Sequence, residues 1–231
     1  NVVAVRVDNA RQPNSRWYSG SGIYRNVWLV MTNKVFVDHW GTFVTTPRID
    51  EKSALVSVIT TVKNALPQAQ VITLKTEIVD ANGNIVASYK SDEEVLNNTS
   101  KEILHEIEVN NPILWSIENP YTYKAITTLE YSEKLSDQYE TIFGIRYFNF
   151  DYDKGFSLNG KNMKLYGVCN HHDLGCLGTA VNKRALERQL EILKEMGCNS
   201  IRTSHNPPAP ELLDLCDKMG FLIMDEAFDM W

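Results

Sequence analysis

The hydrophobic period changes near Phe150, and that change limits the folds open to the chain. Before it, apolar and polar residues alternate at the two-residue period of half-buried strands, as in Ala54–Val62. Gln70–Val79, Ile85–Tyr89, Glu102–Val109, Tyr121–Tyr131 and Gln138–Ile145 repeat the pattern, and Asn82-Gly83 is a tight-turn signal. Six or seven strands in about 100 residues predict an immunoglobulin-like β-sandwich over residues 47–146, although a single β-meander fits the same alternation. Residues 1–46 read as the end of another β-domain, with strands at Asn1–Val7, Ile23–Met31 and Val35–Val37 around a Gln-Pro-Asn-Ser loop at 12–15.

After Phe150 the spacing becomes that of β/α units. A hairpin turns at Asn159-Gly160, and Met163–Val168 follows as a short strand. Asn182 is placed to cap a helix over Lys183–Met196, with Leu186, Leu190 and Leu193 on one face and Gly197 as its stop. Cys198–Arg202 is the next strand. Glu211–Met219 is the next helix, burying Leu212, Leu215, Cys216 and Met219, and Gly220 ends it before a third strand, Phe221–Met224. Strands alternating with helices imply a parallel sheet, and a (β/α)8 barrel is the obvious parent. Only 81 residues follow Phe150, whereas a barrel needs about 250. Residues 147–231 are therefore expected to supply the first three barrel strands and two helices, the chain stopping mid-barrel.

Charge and cysteine usage remove other classes. A formal charge of −6 and a pI near 5.4, with no dense basic run, argue against a nucleic-acid partner. No stretch approaches the ~18 apolar residues of a membrane helix, and Asn1 opens on a strand-like run without signal-peptide anatomy, so a soluble protein is expected. The compartment stays open between bacterial cytoplasm and periplasm. All four cysteines, Cys169, Cys176, Cys198 and Cys216, fall in the last third, which does not suit a disulfide framework; they are read as free thiols, mostly buried. Cys169, His171, His172, Asp173 and Cys176 crowd eight residues but fit no usual zinc spacing, so they are read as strand end and loop, with a separate role for His171.

The three strand ends carry the chemistry. They read Cys169-Asn170-His171-His172-Asp173, then Arg202-Thr203-Ser204-His205-Asn206, then Asp225-Glu226-Ala227-Phe228-Asp229-Met230-Trp231. Polar groups capping apolar strands are costly unless paired, so their convergence on one rim marks a candidate site. Spacing alone fits a hydrolase, an isomerase or a binding cleft equally.

Five segments in order resemble glycoside hydrolase family 2, which includes β-galactosidases, β-glucuronidases and β-mannosidases. They are Arg16-Trp17-Tyr18-Ser19-Gly20-Ser21-Gly22-Ile23-Tyr24-Arg25-Asn26-Val27-Trp28-Leu29, Asn111-Pro112-Ile113-Leu114-Trp115-Ser116, Phe143-Gly144-Ile145-Arg146, Gly167-Val168-Cys169-Asn170-His171 and Ile201-Arg202-Thr203-Ser204-His205-Asn206-Pro207. The resemblance implies the C-terminal part of a jelly-roll sugar-binding domain at 1–46, then the sandwich, then the start of a (β/α)8 barrel. It implies a retaining exo-β-glycosidase, β-galactosidase-like, acting on a β-glycoside or oligosaccharide with two glutamates ~5–5.5 Å apart. In the family the acid/base follows an asparagine on the fourth strand and the nucleophile lies at the seventh. This sequence has no Asn-Glu dipeptide, so both are expected beyond Trp231, and the chain alone is expected to be inactive. The alternatives are a non-catalytic structural or carbohydrate-binding segment, or a parent that is a β-glucuronidase or β-mannosidase.

By the same resemblance His171, His205 and Asn206 bind the sugar and Arg202 holds the nucleophile ionised. Asp173, Asp225, Asp229 and Trp231 are weaker candidates, Glu226 is a scaffold residue, and Arg25 is an inter-domain contact. No cofactor is implied: the Glu-x-His that binds a divalent cation in some bacterial β-galactosidases is unmatched, with Asp229-Met230-Trp231 in its place. The loop Arg11–Ser19 also lacks a clear counterpart of the aspartate those enzymes send into the site. An unpaired third strand with apolar faces predicts that the isolated chain either associates or is partly disordered in its C-terminal part, which leaves a homo-oligomer open.

Overall fold

The structure, a computed structural model, describes residues 2–11 and 21–227. Seven antiparallel strands form two facing sheets. β1 (Val35–Ile49), β2 (Ser53–Asn64) and β5 (Thr99–Asn110) make one, in the order β1-β2-β5. β3 (Gln70–Val79), β4 (Ile85–Val95), β6 (Tyr123–Tyr131) and β7 (Lys134–Phe143) make the other, in the order β4-β3-β6-β7. Alternation along β2 and β5 sends Ala54, Val56, Val58, Ile107 and Val109 inward against Ile78, Ala125 and Phe143, as the two-residue period requires. Tyr123, at the start of β6, accepts the Ile113 N–H on its hydroxyl at 2.8 Å, the corner that immunoglobulin-like sandwiches place near their sixth strand.

The start of the sandwich needs correction. β1 crosses the expected boundary at 46/47 and pairs with β2 from Val35↔Asn64 to Ile49↔Ala54, so the sandwich begins at Val35 rather than Pro47. Its register shifts between Val37 and Thr42, where Trp40 has a φ of 51° and a side chain on Gly41 would overlap the Asp38 carbonyl. The strands expected within Asn1–Val7 and at Ile23–Met31 do not form among the described residues. Alternation makes a segment fit to be a strand, but a strand also needs a neighbour for its N–H and C=O groups, and no described strand pairs with 21–34. Val27, Trp28, Leu29, Val30 and Met31 are consequently exposed.

A small antiparallel sheet, β8 (Phe148–Asp151), β9 (Gly155–Leu158) and β10 (Lys161–Asn162), follows. Then come β11 (Gly167–Asn170), α1 (Lys183–Glu195), β12 (Ser200–Thr203), α2 (Pro210–Met219) and β13 (Leu222–Met224). β11, β12 and β13 lie parallel in that order, the beginning of a barrel sheet. β11 starts later than the apolar run at Met163, because its first partner across the ladder is Gly167↔Ser200. Asn182 caps α1, its side chain accepting the Ala185 N–H at 3.0 Å. Leu186, Leu190 and Leu193 meet Leu212, Leu215, Cys216, Ile201 and Phe221 in one core, each buried leucine contributing about 1.5–3 kcal/mol. No helix among the described residues is long and apolar enough to cross a membrane.

The sandwich is tied to the β/α part by specific contacts. Trp115, 2% exposed, donates its indole N–H to the Asp217 carbonyl at 2.7 Å. Its ring lies so close to Gly144 that a Cβ there would overlap it, and the Arg146 guanidinium stacks 5.4 Å from its centroid. Lys194 of α1 donates to the carbonyls of Met219 (2.8 Å), Gly220 (3.1 Å) and Ile117 (3.3 Å), joining both helices to the sandwich loop. Gly220 ends α2 at a φ of 73°, and a Cβ there would overlap the Ile117 carbonyl.

Candidate functional site

Parallel pairing sets the site. Cys169 on β11, Arg202 on β12 and Met224 on β13 are in register, so they share one face of the sheet. Ile201, one residue from Arg202, belongs to the opposite face, under the helices. Beyond the C-terminal ends of these strands the chain delivers His171, His205 and Glu226. The His171 and His205 rings meet edge to face, 5.6 Å between centroids.

Arg202 donates Nε and Nη2 to Glu226 Oε1, and its Nη1 lies 3.6 Å from Cys169 Sγ. The other carboxylate oxygen, Oε2, lies 2.8 Å from His205 Nδ1. Burial alone would raise the Glu226 carboxyl, but the His205 hydrogen bond and the Arg202 guanidinium outweigh it and hold it below the ordinary carboxylate range. Thr203 braces the segment, accepting the Glu226 N–H at 3.1 Å and donating to Asp225 at 3.3 Å. The product is a charged, hydrogen-bonded rim able to orient an imidazole and to hold a carboxylate ionised.

The remaining expected residues divide. Asn206 lines a cavity of about 30 Å³ together with Asn170, His171, His172 and Ser204. Asp173 accepts the Gly175 N–H at 2.8 Å, shaping the loop after β11. Asp225 is exposed beside Thr203. Asp229 and Trp231 lie outside the described residues. Arg25 donates to the carbonyls of Pro207 (through Nη2) and Pro208 (through Nη1, 2.8 Å), so the N-terminal segment clasps the loop that carries His205. Tyr24 stacks on His172 at 5.7 Å. Burial pushes the His172 imidazole below its ordinary value, and the nearby Arg25 and His171 push it further the same way.

Glu226, read from the sequence as a scaffold residue, meets Arg202 and His205 at this rim. The signal was present, a carboxylate two residues past a barrel strand, but only the β12–β13 register brings it against Arg202 and His205. The cysteine reading also needs correction. All four are free, but Cys169 and Cys176 are exposed, Cys198 is half-buried, and Cys216 alone is buried. Cys169 shares the open face of the sheet with Arg202, and Cys176 sits in a surface turn at Gly175–Leu177. Cys216, packed between the helices, has its thiol pushed up to about 12 by burial. Among the described residues no group of three or more His, Cys, Asp or Glu side chains is arranged to hold a metal ion.

A seven-stranded sandwich leading into three parallel strands joined by helices, with polar groups gathered at the strand ends, is the layout of a β-sandwich followed by the start of a β/α barrel. The comparisons are more specific. Residues 35–146 match the model of glycosyl hydrolases family 2, and residues 152–229 match the model of that family's TIM barrel domain. The chain belongs to glycosyl hydrolase family 2. It is 56% identical over 233 residues to the beta-galactosidase BoGH2A of Bacteroides ovatus, covering all of this chain and 27% of that protein. It is 39% identical over 231 residues to a putative beta-glucuronidase of Formosa agariphila, covering 22% of it. The crystal structure of a family 2 member from Bacteroides cellulosilyticus superposes with a TM-score of 0.92 at 45% identity, over 97% of this chain and 31% of that one. The chain thus spans about a quarter of the length of these curated relatives.

Proposed function

We propose that the chain is part of a retaining exo-β-glycosidase that removes terminal β-linked sugars, most like a β-galactosidase. The observation that carries this reading is the pair of imidazoles, His171 and His205, brought 5.6 Å apart at the ends of adjacent parallel strands of a family 2 barrel. Imidazoles there can hydrogen-bond sugar hydroxyls, and such bonds strengthen as the oxocarbenium-like transition state forms. In this reading His171, His205 and Asn206 bind the sugar, and Arg202 adds its positive charge to the site that keeps the nucleophile ionised. Asp173 and Asp225 shape the rim. The two catalytic glutamates lie outside these 231 residues, so the chain alone does not turn over substrate. Residues up to 34 are the end of a jelly-roll domain, whose other strands would pair with the exposed run Val27–Met31.

The likeness to BoGH2A favours galactose, while the likeness to a putative beta-glucuronidase supports a second reading in which the sugar is a uronic acid. Release of p-nitrophenol from the β-galactoside, β-glucuronide and β-mannoside by the protein containing this chain separates them. The β-galactoside is expected to react fastest. A faster β-glucuronide would replace the first reading with the second, and no turnover of any of the three would defeat both.

A further inference from the structure

His205 faces two partners that make opposite demands on one nitrogen. Its Nδ1 lies 2.8 Å from Glu226 Oε2 and 3.3 Å from Arg202 Nη2. An ionised carboxylate only accepts and a guanidinium only donates, so Nδ1 must carry a proton to satisfy Glu226 and must lack one to satisfy Arg202. The distances decide between them. A separation of 2.8 Å is that of a charge-assisted bond, whereas 3.3 Å lies beyond the usual N–H donor range. Arg202 has its stronger claim elsewhere, on Glu226 Oε1. That contact keeps the carboxylate ionised and turns Oε2 toward the imidazole.

We propose that Glu226 is a positioning residue that holds His205 in its Nδ1–H form and fixes the direction in which Nε2 points. The inference rests on the reading of His205 as a sugar-binding group, and it deepens that reading. With Nδ1–H given to Glu226, Nε2 of the neutral ring can accept a hydrogen bond from a sugar hydroxyl, and it donates only once the ring is charged. Arg202 on β12, His171 across the rim and Glu226 after β13 are among the groups that meet the ring. Glu226 is the one acceptor-only group among them. Its backbone N–H is anchored on Thr203, which is 4% exposed, so the carboxylate is presented from a fixed support.

The test reads the tautomer directly. In the chain labelled with 15N-histidine, long-range proton–nitrogen correlation at about pH 8.5, above the ordinary histidine range, shows which ring nitrogen of His205 carries the proton. The His205→Gln variant assigns the signals. The expected result is Nδ1–H in the native chain and in Glu226→Gln, whose amide oxygen still accepts. In Glu226→Leu the proton is expected to move to Nε2, because the Arg202 guanidinium beside Nδ1 can only donate. Arg202→Met, which removes the competing donor, is expected to retain Nδ1–H. An Nε2–H ring in the native chain, an unchanged Nδ1–H in a well-dispersed Glu226→Leu spectrum, or a proton moved to Nε2 by Arg202→Met would each overturn the proposal. The measurement needs no turnover, so it fails or succeeds separately from the glycosidase reading. In the enzyme containing this chain, Glu226→Leu is expected to lower kcat/KM on the order of tenfold to a hundredfold, the scale of a misplaced site group, with Glu226→Gln recovering most of it.

Discussion

His105 shows how one buried residue makes the sandwich sensitive to acid. The ring is 1% exposed, with Nδ1 2.9 Å from Thr76 Oγ1, Nε2 3.0 Å from Ser91 Oγ, and Tyr89 edge-on at 4.9 Å. Two hydroxyls satisfy a neutral imidazole. Burial pushes the group below its ordinary value, and the Glu93 carboxylate offsets this only in part. The unfolded chain therefore binds a proton at His105 that the native chain resists. The contribution is intact above about pH 6.5 and is lost as pH falls from there toward the native value. Urea midpoints measured from about pH 7.5 down to 5.5 should fall for the native chain more steeply than for His105→Gln, whose slope lacks this component; equal slopes would refute the assignment. Trp115 is the other residue on which much depends. Trp115→Ala should destabilise by about 3–5 kcal/mol, and Gly144→Ala, which drives a methyl into the indole, by about 1–3 kcal/mol, both read from denaturant melts. Trp115 and Gly144 were legible as motif residues, but their meeting was not. Neither alternation nor spacing says that the indole of one loop will fill the space above a glycine 29 positions away.

At the scale of elements, what could be read depended on whether a segment's stability is local. Helix α1 was legible to within a residue because its signals are self-contained: an N-cap, three leucines on one face and a terminal glycine at a φ of 85°. Asn182→Ala should accordingly cost about 1 kcal/mol, seen as a lower midpoint of thermal unfolding with an unchanged fold. Strands are not self-contained. Ile23–Met31 has the composition of a strand yet pairs with none of those described, and β11 is displaced from its apolar run because β12 dictates where pairing starts. The candidate site was partly legible for the same reason. Arg202 closes an expected strand and His171 and His205 each follow one by three residues, so their gathering at one rim followed from parallel order. The role of Glu226 depended on the register of β12 against β13, which leaves no mark in the sequence.

The whole molecule is organised around two joints that fix the rim. One is the pair of contacts Trp115–Asp217 and Lys194–Ile117 between sandwich and helices; the other is the clasp of Arg25 on Pro207 and Pro208. Arg25→Ala should leave global stability nearly unchanged while raising hydrogen exchange in the loop that carries His205; equal exchange rates in variant and native chain would contradict the clasp. Among the described residues β13 is paired on one side only, with Met224, Phe148 and Phe150 exposed nearby. An open apolar edge invites pairing, so the 231-residue chain by itself should self-associate in sedimentation, against which a monodisperse monomer would count. The proposed function puts the rim built by β11, β12 and β13 in a retaining β-glycosidase. The most direct measurement is proton NMR of the sugar first released from an aryl β-glycoside by the enzyme containing this chain. The β-anomer is expected first, with the α-anomer growing in only by mutarotation. The α-anomer as the first product would contradict the proposed function.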